Sequence, residues 1–485
     1  EIIKSGQKKG KNGVRTFVSS MCSVEDFLLA GEFTRSVGSD CIHFRSWLSD
    51  STFDKSMTGS PYMEFTLSDI SNLDSILIIG SRLRDDCPLL AQKLRVGVNR
   101  FGLKISQLNA FRQDLLTDEK NSFLLSSDKW IKFLSALLKY IKREDTKTSI
   151  DENILNVKDF ASELLDAKDK SKILILVGPS VFAHKNASIM LSLTKSISEI
   201  LGCHISYLPS GGNYLGGYYS KALPINGGLN SSAMFDDMDA SFLLVNSEPT
   251  LDFPNSEKFE KISNAIGVIA LTSYKSTVSS FADVMLPIAT YMETEGSYIN
   301  LEGLVQHSGR AVEAPGEARP IWKIFRVLGS MFSVKNFDFN TIKELRNNFA
   351  PELHEEKKLK IQPLEIISNV NFNEEHILKK NNFVSEIFHY FPIYLSDLVV
   401  RRAPSLQKTK QSQRPKAFFN PEDFINHNFV SGEKIDIEVE SKNVYSFECD
   451  KDVNVAKGTV AVACGHLMSK NISGSIFSLS IKKQK

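Results

Sequence analysis

Short apolar runs that stop at glycine constrain this chain most. Ile76-Leu77-Ile78-Ile79 ends at Gly80, and Lys172-Ile173-Leu174-Ile175-Leu176-Val177 ends at Gly178-Pro179-Ser180. Such a run has no polar face to offer water, so it fits a strand buried on both sides, as in a parallel sheet covered by helices. After the first run, Cys87 to Asn99 sets Leu89, Leu90, Leu94 and Val98 close to one helical face, and Leu103-Lys104-Ile105 reads as the next strand. Strand, helix, strand is the unit of a doubly wound sheet.

The second run repeats the pattern. A helix is expected from about Asn186 to Leu201, then strands at Ile205–Leu208, Phe242–Val245 and Val268–Leu271, with a helix near Glu257–Asn264. Residues 171–275 are therefore expected to form one compact Rossmann-like unit. Asp145–Asp169 is charged and reads as a surface helix or linker. Asn336–Glu375, with Lys357-Lys358-Leu359-Lys360 inside it, reads as peripheral helix and loop. Arg401–Lys416 is basic, Gln/Ser-rich and nearly free of apolar residues, the composition of a linker. Beyond it, Ile435-Asp436-Ile437-Glu438-Val439 alternates as a half-buried antiparallel strand does, and Thr459–Ala463 is a further strand. The expected division is 1–150 as part of a first α/β lobe, 151–275 as the Rossmann-like domain, 276–400 returning to the first lobe with peripheral helices, 401–416 as linker and 417–485 as a small β-barrel domain.

At 485 residues the chain exceeds one core, and roughly 150 residues per domain suggests about three. The 58 basic and 57 acidic side chains leave a net charge of +1, so no global field attracts nucleic acid or anionic lipid. No apolar run reaches the roughly 18 residues needed to span a bilayer. The first residue is Glu1, which leads to the expectation of a processed chain or a fragment.

The chemistry-bearing residue types are scattered. No two of the six cysteines (Cys22, Cys41, Cys87, Cys203, Cys449 and Cys464) lie within four residues of each other, so the close pairs that usually aim two thiolates at one metal are missing. Six reduced thiols in an intracellular protein are expected instead. His184, His204 and His466 share no ligand spacing. The most glycine-dense stretch, Gly211-Gly212-Asn213-Tyr214-Leu215-Gly216-Gly217 with Gly227-Gly228 beyond, matches neither G-x-x-x-x-G-K-[ST] nor G-x-G-x-x-G, and is expected to be an ordered loop at the edge of the sheet. Arg82 and Arg84, beside a helix start, are candidates for holding an anion, against pairing with Asp85, Asp86 or another subunit. Glu293, Glu295 and Asp283 suggest paired carboxylates with His307 as a lone companion, but structural or solvated acids are the plainer expectation.

Several segments taken together carry a resemblance. Phe281-Ala282-Asp283-Val284-Met285-Leu286-Pro287 leads into Glu293-Thr294-Glu295-Gly296-Ser297-Tyr298-Ile299-Asn300 and Leu301-Glu302-Gly303-Leu304-Val305-Gln306. This resembles the ADVVLP … E-x-x-G-T-Y-x-N-x-E-G-R-x-Q signature of the molybdopterin oxidoreductase superfamily. Leu73–Arg95, Pro315–Ile324, Ile393–Thr409, Phe419–Asp423 and Ala461–His466 are similar, in order, to segments of the large iron–sulfur subunit of NADH:quinone oxidoreductase (respiratory complex I), the counterpart of the mitochondrial 75-kDa subunit. The resemblance spans nearly the whole chain.

It implies an α/β fold with Rossmann-like doubly wound lobes of the molybdopterin-oxidoreductase type plus a small C-terminal β-barrel domain. It implies a subunit whose N-terminal part holds 4Fe-4S and 2Fe-2S clusters. Its partners would be that cluster-bearing part and other peripheral-arm subunits, on the cytoplasmic side of a bacterial inner membrane or the matrix side of a mitochondrial one. No catalytic, cofactor-binding or metal-binding residue is assigned in this segment, and no cofactor is expected in it. Where the signature usually carries Arg, this chain has Leu304, which cannot grip a phosphate. The competing expectation is a catalytic pterin enzyme of formate dehydrogenase type.

Overall fold

A computed structural model describes residues 1–144, 156–231, 233–253, 256–367, 386–438, 444–470, 472 and 480–483. Residues 145–155 of the expected surface segment, 368–375 of the expected peripheral segment and Val439 of the alternating strand lie outside the described residues.

Two parallel sheets dominate. The first has the strand order Val284–Pro287, Gly267–Thr272, Ser241–Val245, Val14–Val18, Ile42–His43. The second has the order Asn121–Leu124, Lys104–Asn109, Ser75–Ile79, Ile173–Val177, His204–Tyr207. Every neighbouring pair in both sheets is parallel. Val14–Val18, Ile173–Val177 and Ser241–Val245 are buried at every residue, as the continuous apolar runs require.

Strand pairing corrects the expected grouping. Ile173–Val177 and His204–Tyr207 belong with Ser75–Ile79, whereas Ser241–Val245 and Gly267–Thr272 flank Val14–Val18 in the other sheet. The expected unit at 171–275 is thus divided between two lobes, and its boundary at 275 falls between the paired strands Gly267–Thr272 and Val284–Pro287. An apolar run reports burial on both faces but carries no label for its neighbour. The second lobe is one insertion in the first: the chain leaves after Ile42–His43, builds the second sheet, and returns at the helix Tyr214–Tyr219.

The helices are set by local signals. Val24–Ser36 starts with a reciprocal Ser23–Asp26 capping box. Pro88–Phe101 has Pro at its first position and ends at Gly102, and Ala187–Leu201 ends at Gly202, both glycines left-handed. Ile321–Met331 packs on Val24–Ser36, with Phe33 5.8 Å from Phe325 and 5.5 Å from Phe332 between ring centroids.

The C-terminal module is a six-stranded mixed sheet in the order Glu386–Tyr390, Thr459–Ala463, Lys416–Phe419, Val444–Lys451, Lys434–Glu438, Ser480–Lys483. Ile435 and Ile437 face its core, as their alternation predicts. The sheet is open among the described residues, so the expected barrel does not close; Glu386–Tyr390 and Ser480–Lys483 are its two edges. The module packs on the second lobe through Phe111, whose ring lies 5.1 Å from Tyr390, and through the isolated bridge between Phe111 and Val455.

Candidate functional site

The carboxyl ends of the strands in a doubly wound sheet are where ligands bind, because loops there can diverge around a crevice. In this protein both lobes contribute such loops to one cavity of about 480 Å³. Ser19-Ser20-Met21 follows Val14–Val18, Asn246 follows Ser241–Val245, and Leu208–Gly212 follows His204–Tyr207. Asn300-Leu301-Glu302 and Phe391–Leu398 complete the walls.

The lining has one sign of charge. Asp85, Asp86, Asp252, Glu302 and Asp397 contribute to it, and among the described residues no Lys or Arg does. Each carboxylate is already occupied. Asp85 pairs with Arg82 at 3.1 Å, Asp86 accepts from the Ser81 hydroxyl at 2.7 Å, and Asp252 pairs with Arg401 at 2.6 Å. Glu302 accepts from the Leu67 N–H at 2.8 Å, and Asp397 accepts from the Val399 N–H at 2.8 Å. Across the cavity, the Trp47 and Phe391 rings sit 4.8 Å apart and join the first lobe to the C-terminal segment.

A pterin dinucleotide brings phosphates, which need cationic or convergent N–H donors. The lining supplies hydroxyls from Ser19, Ser20, Ser46, Ser210 and Ser396 and the Gly211-Gly212 turn, but no Lys or Arg among the described residues. Among those residues Asp86, Glu302 and Asp397 stand there without an ion-pair partner, and no lining cation balances a dinucleotide's phosphates. Leu304 does not line the cavity: it lies at the turn of the hairpin Gly296–Ile299/Val305–Ser308, in an isolated bridge with Lys358. The substitution therefore bears less directly on the cleft than the signature implies.

The signature acts as an anchor. Glu25, fully buried, accepts from the Ser297 N–H at 2.8 Å and hydroxyl at 2.7 Å, and pairs with Arg346 at 2.7 Å. Asn213 donates to the Cys22 carbonyl at 2.8 Å and accepts from the Ile299 N–H at 2.8 Å. The glycine-dense stretch is partly the short helix Tyr214–Tyr219, pressed so closely on Phe44 that a Cβ on Gly217 would lie 2.6 Å from the ring. Asp283 accepts from the Val268 N–H at 2.8 Å and Glu293 from the Thr290 N–H at 2.8 Å, while Glu295 is exposed. No dyad forms: His307 instead lies 3.3 Å from the Ser297 hydroxyl.

Arg82 lies between the Phe111 and Tyr390 rings, 4.2 and 4.4 Å from their centroids, and Arg84 donates to the Asp114 carbonyl at 3.1 Å. Arg82 thus pairs with Asp85, as the plainer expectation had it. His184 is buried behind the helix Pro179–Ala183, His204 stands 3.8 Å from Glu64, and His466 caps a turn at Met468. The six cysteines are unbonded, and among the described residues no three His, Cys, Asp or Glu side chains cluster as metal ligands.

Sequence reasoning missed one cluster. The expected linker carries Arg401 and Arg402, which reach fully buried Glu248. Arg401 is 3.1 Å from Glu248, and Arg402 stacks 4.2 Å over the Tyr274 ring. Burial raises the Glu248 carboxyl, but hydrogen bonds from Arg402 and Thr277 and the two guanidinium charges outweigh it and hold it below the usual range. Turns at Val400–Arg402, Leu406–Lys408 and Lys410–Ser412 replace the expected flexible connection. Nothing local in the sequence marks these partners, which lie about 150 residues apart.

Residues 1–331 match the molybdopterin oxidoreductase family, and the chain belongs to it. It is similar to a subunit of the NADH-quinone oxidoreductase of Rickettsia conorii, at 23% identity over 82% of this chain and 53% of that protein. The NADH-ubiquinone oxidoreductase 75 kDa subunit of Reclinomonas americana is 22% identical over 84% of this chain and 56% of its own length. The chain thus spans about half the length of these relatives. The alpha subunit of the F420-dependent formate dehydrogenase of Methanocaldococcus jannaschii is 22% identical over 80% of this chain and 68% of that protein. Among solved structures, acetylene hydratase from Pelobacter acetylenicus superposes with a TM-score of 0.68 at 14% identity, covering 96% of this chain and 81% of that one, which shows the fold.

Proposed function

We propose that this chain is the body of the large subunit of an NADH:quinone oxidoreductase, the machinery that passes electrons from NADH through flavin and iron–sulfur clusters to quinone with coupled proton translocation. In this reading the segment is architectural. It holds neither a pterin dinucleotide nor a cluster, and cluster ligation falls to residues outside these 485, because no two cysteines here have ligand spacing. Its partners are the cluster-bearing domain and the other peripheral-arm subunits. Its place is peripheral, on the cytoplasmic face of a bacterial membrane or the matrix face of a mitochondrial one. No helix among the described residues is long and apolar enough to cross a membrane, which agrees with that placement.

The carrying observation is the charge of the interlobe cavity. Among the described residues Asp86, Glu302 and Asp397 line it without an ion-pair partner, and Asp85 and Asp252 are paired with Arg82 and Arg401. No Lys or Arg lines it among the described residues, so the site lacks the cation an anionic dinucleotide calls for. The similarity to a formate dehydrogenase subunit supports a second reading, a catalytic pterin enzyme. The two separate when the chain is tagged and isolated from its own cells in mild detergent. The first expects a complex that oxidises NADH and reduces quinone; formate oxidation by an isolated chain carrying an extractable pterin would overturn it.

A further inference from the structure

A second cavity, about 890 Å³, opens between the second lobe and the C-terminal sheet. It adjoins the interlobe cleft at Asp85, Pro88 and Ile393, but its charge is opposite. Arg82, Arg84, Arg95, Lys410, Arg414 and Lys416 line it against two carboxylates, Asp85 and Asp450. Asp85 is spent on Arg82 at 3.1 Å and Asp450 on Lys416 at 3.1 Å. Arg95, Lys410 and Arg414 have no ion-pair partner among the described residues. Like charges gathered without counter-charges cost free energy, and an anionic partner relieves that cost.

The donor set points to a peptide more than to a phosphate. Phosphate sites use glycine turns, hydroxyls and helix N-termini that converge at short range. Among the described residues no Gly, Ser or Thr lines this cavity, and the helix Pro88–Phe101 that opens onto it begins with Pro88, which lacks an N–H. The unpaired cations stand on long side chains from separate elements, Arg95 on the helix Pro88–Phe101 and Lys410 and Arg414 on the segment before Lys416–Phe419. The floor is aromatic, from Phe111, Tyr390 and Phe418, and Leu116 at the rim is 52% exposed. Aromatic and arginine side chains with apolar neighbours are the composition of protein interfaces.

We propose that this groove docks an acidic peptide segment of a neighbouring subunit. The proposal rests on the reading of this chain as a subunit and names the chemistry of one partner. Electrostatic complementarity of this kind chiefly sets encounter rate and salt dependence.

Two measurements test it. In the first, a fluorescent oligoglutamate peptide and GMP are each titrated against the full chain and against Arg95→Glu/Lys410→Glu/Arg414→Glu. These side chains have no ion pairs to lose, and the neutral Gln triple variant, with its melting temperature, controls for folding. The expected result is salt-sensitive peptide binding, weakened about tenfold or more by charge reversal, with GMP neither binding nor competing. GMP binding that displaces the peptide, or no binding of either, overturns the proposal. In the second, a photo-crosslinker replaces Gln411 in the full-length chain within its isolated complex. A crosslink to an Asp/Glu-rich stretch of another subunit of that complex is expected; crosslinks only within this chain, or to neutral or basic stretches, overturn it. If the chain co-purifies with the complex but the groove fails both tests, the subunit reading stands and this proposal falls. If the peptide binds but no oxidoreductase subunit co-purifies, the subunit reading falls.

Discussion

Arg401 holds Glu248 at 3.1 Å with both side chains buried, and so ties the C-terminal segment to the loop after Ser241–Val245 in the first lobe. The same guanidinium reaches Asp252 at 2.6 Å and the Leu395 carbonyl at 2.9 Å. With Trp47 and Phe391, this cluster ties the C-terminal segment to the first lobe. Removing one partner of a buried pair leaves the other desolvated and unpaired. Arg401→Met is expected to cost about 3 kcal/mol, the low end for such a pair because Arg402 still reaches Glu248. Denaturant titration checks this: the midpoint should fall with an unchanged slope.

Glu386 joins the C-terminal sheet to the second lobe, accepting hydrogen bonds from the Ser127 N–H and hydroxyl and from the Thr459 hydroxyl. Burial raises its carboxyl to about 7, against the lowering effect of those donors. A folded pKa above the unfolded value means that the folded state binds the proton more tightly. This contribution is therefore fully present below about pH 4 and is lost as pH rises through about 7. Glu386→Gln should flatten that loss, on the order of 3 to 4 kcal/mol across the window. Unfolding free energies of both proteins at several pH values give the comparison; parallel curves would contradict it.

Two glycines separate strain from crowding. Gly80 has φ +64°, and a Cβ there would lie 2.9 Å from the Trp130 ring; Gly102 has φ +73° with open space around it. Gly102→Ala should cost only the left-handed penalty, about 1 kcal/mol. Gly80→Ala adds overpacking and should cost about 2–4 kcal/mol. Equal shifts in the two melting curves would show that the strand-end turn is looser than described.

Asn213 is fully buried and satisfies backbone groups of two separate segments, at Cys22 and Ile299. Asn213→Ala should cost roughly 2–4 kcal/mol by orphaning them. Asn213→Asp, which retains the acceptor but loses the donor, should do little better. A stability unchanged by both would remove the anchoring role assigned to the signature hairpin.

What was legible in the sequence follows from which forces are local. Ile173–Val177 and the alternation at Ile435 and Ile437 were readable because burial writes itself into neighbouring residues. Val14–Val18 was not, because Arg15 and Thr16 interrupt its apolar run. Both are buried all the same, Arg15 turned to the Met234 carbonyl at 2.7 Å and to Asp237 at 2.8 Å. Missing that central strand put Ser241–Val245 in the wrong sheet. Arg401–Lys416 looked like a linker because its arginines find their carboxylates far along the chain, where composition has no view. The acids of the interlobe cavity were equally hidden, since they come from distant segments that only the fold brings together.

The central claim, that the interlobe cleft carries no pterin cofactor, is tested most directly by the molybdenum, tungsten and pterin content of the intact complex isolated anaerobically with this chain. Both metals and the fluorescence of oxidised pterin extracts should be near zero per chain while NADH oxidation by the complex is retained. One molybdenum or tungsten per chain, with a matching pterin signal lost on charge-preserving changes in the cleft such as Trp47→Ala, would contradict the account.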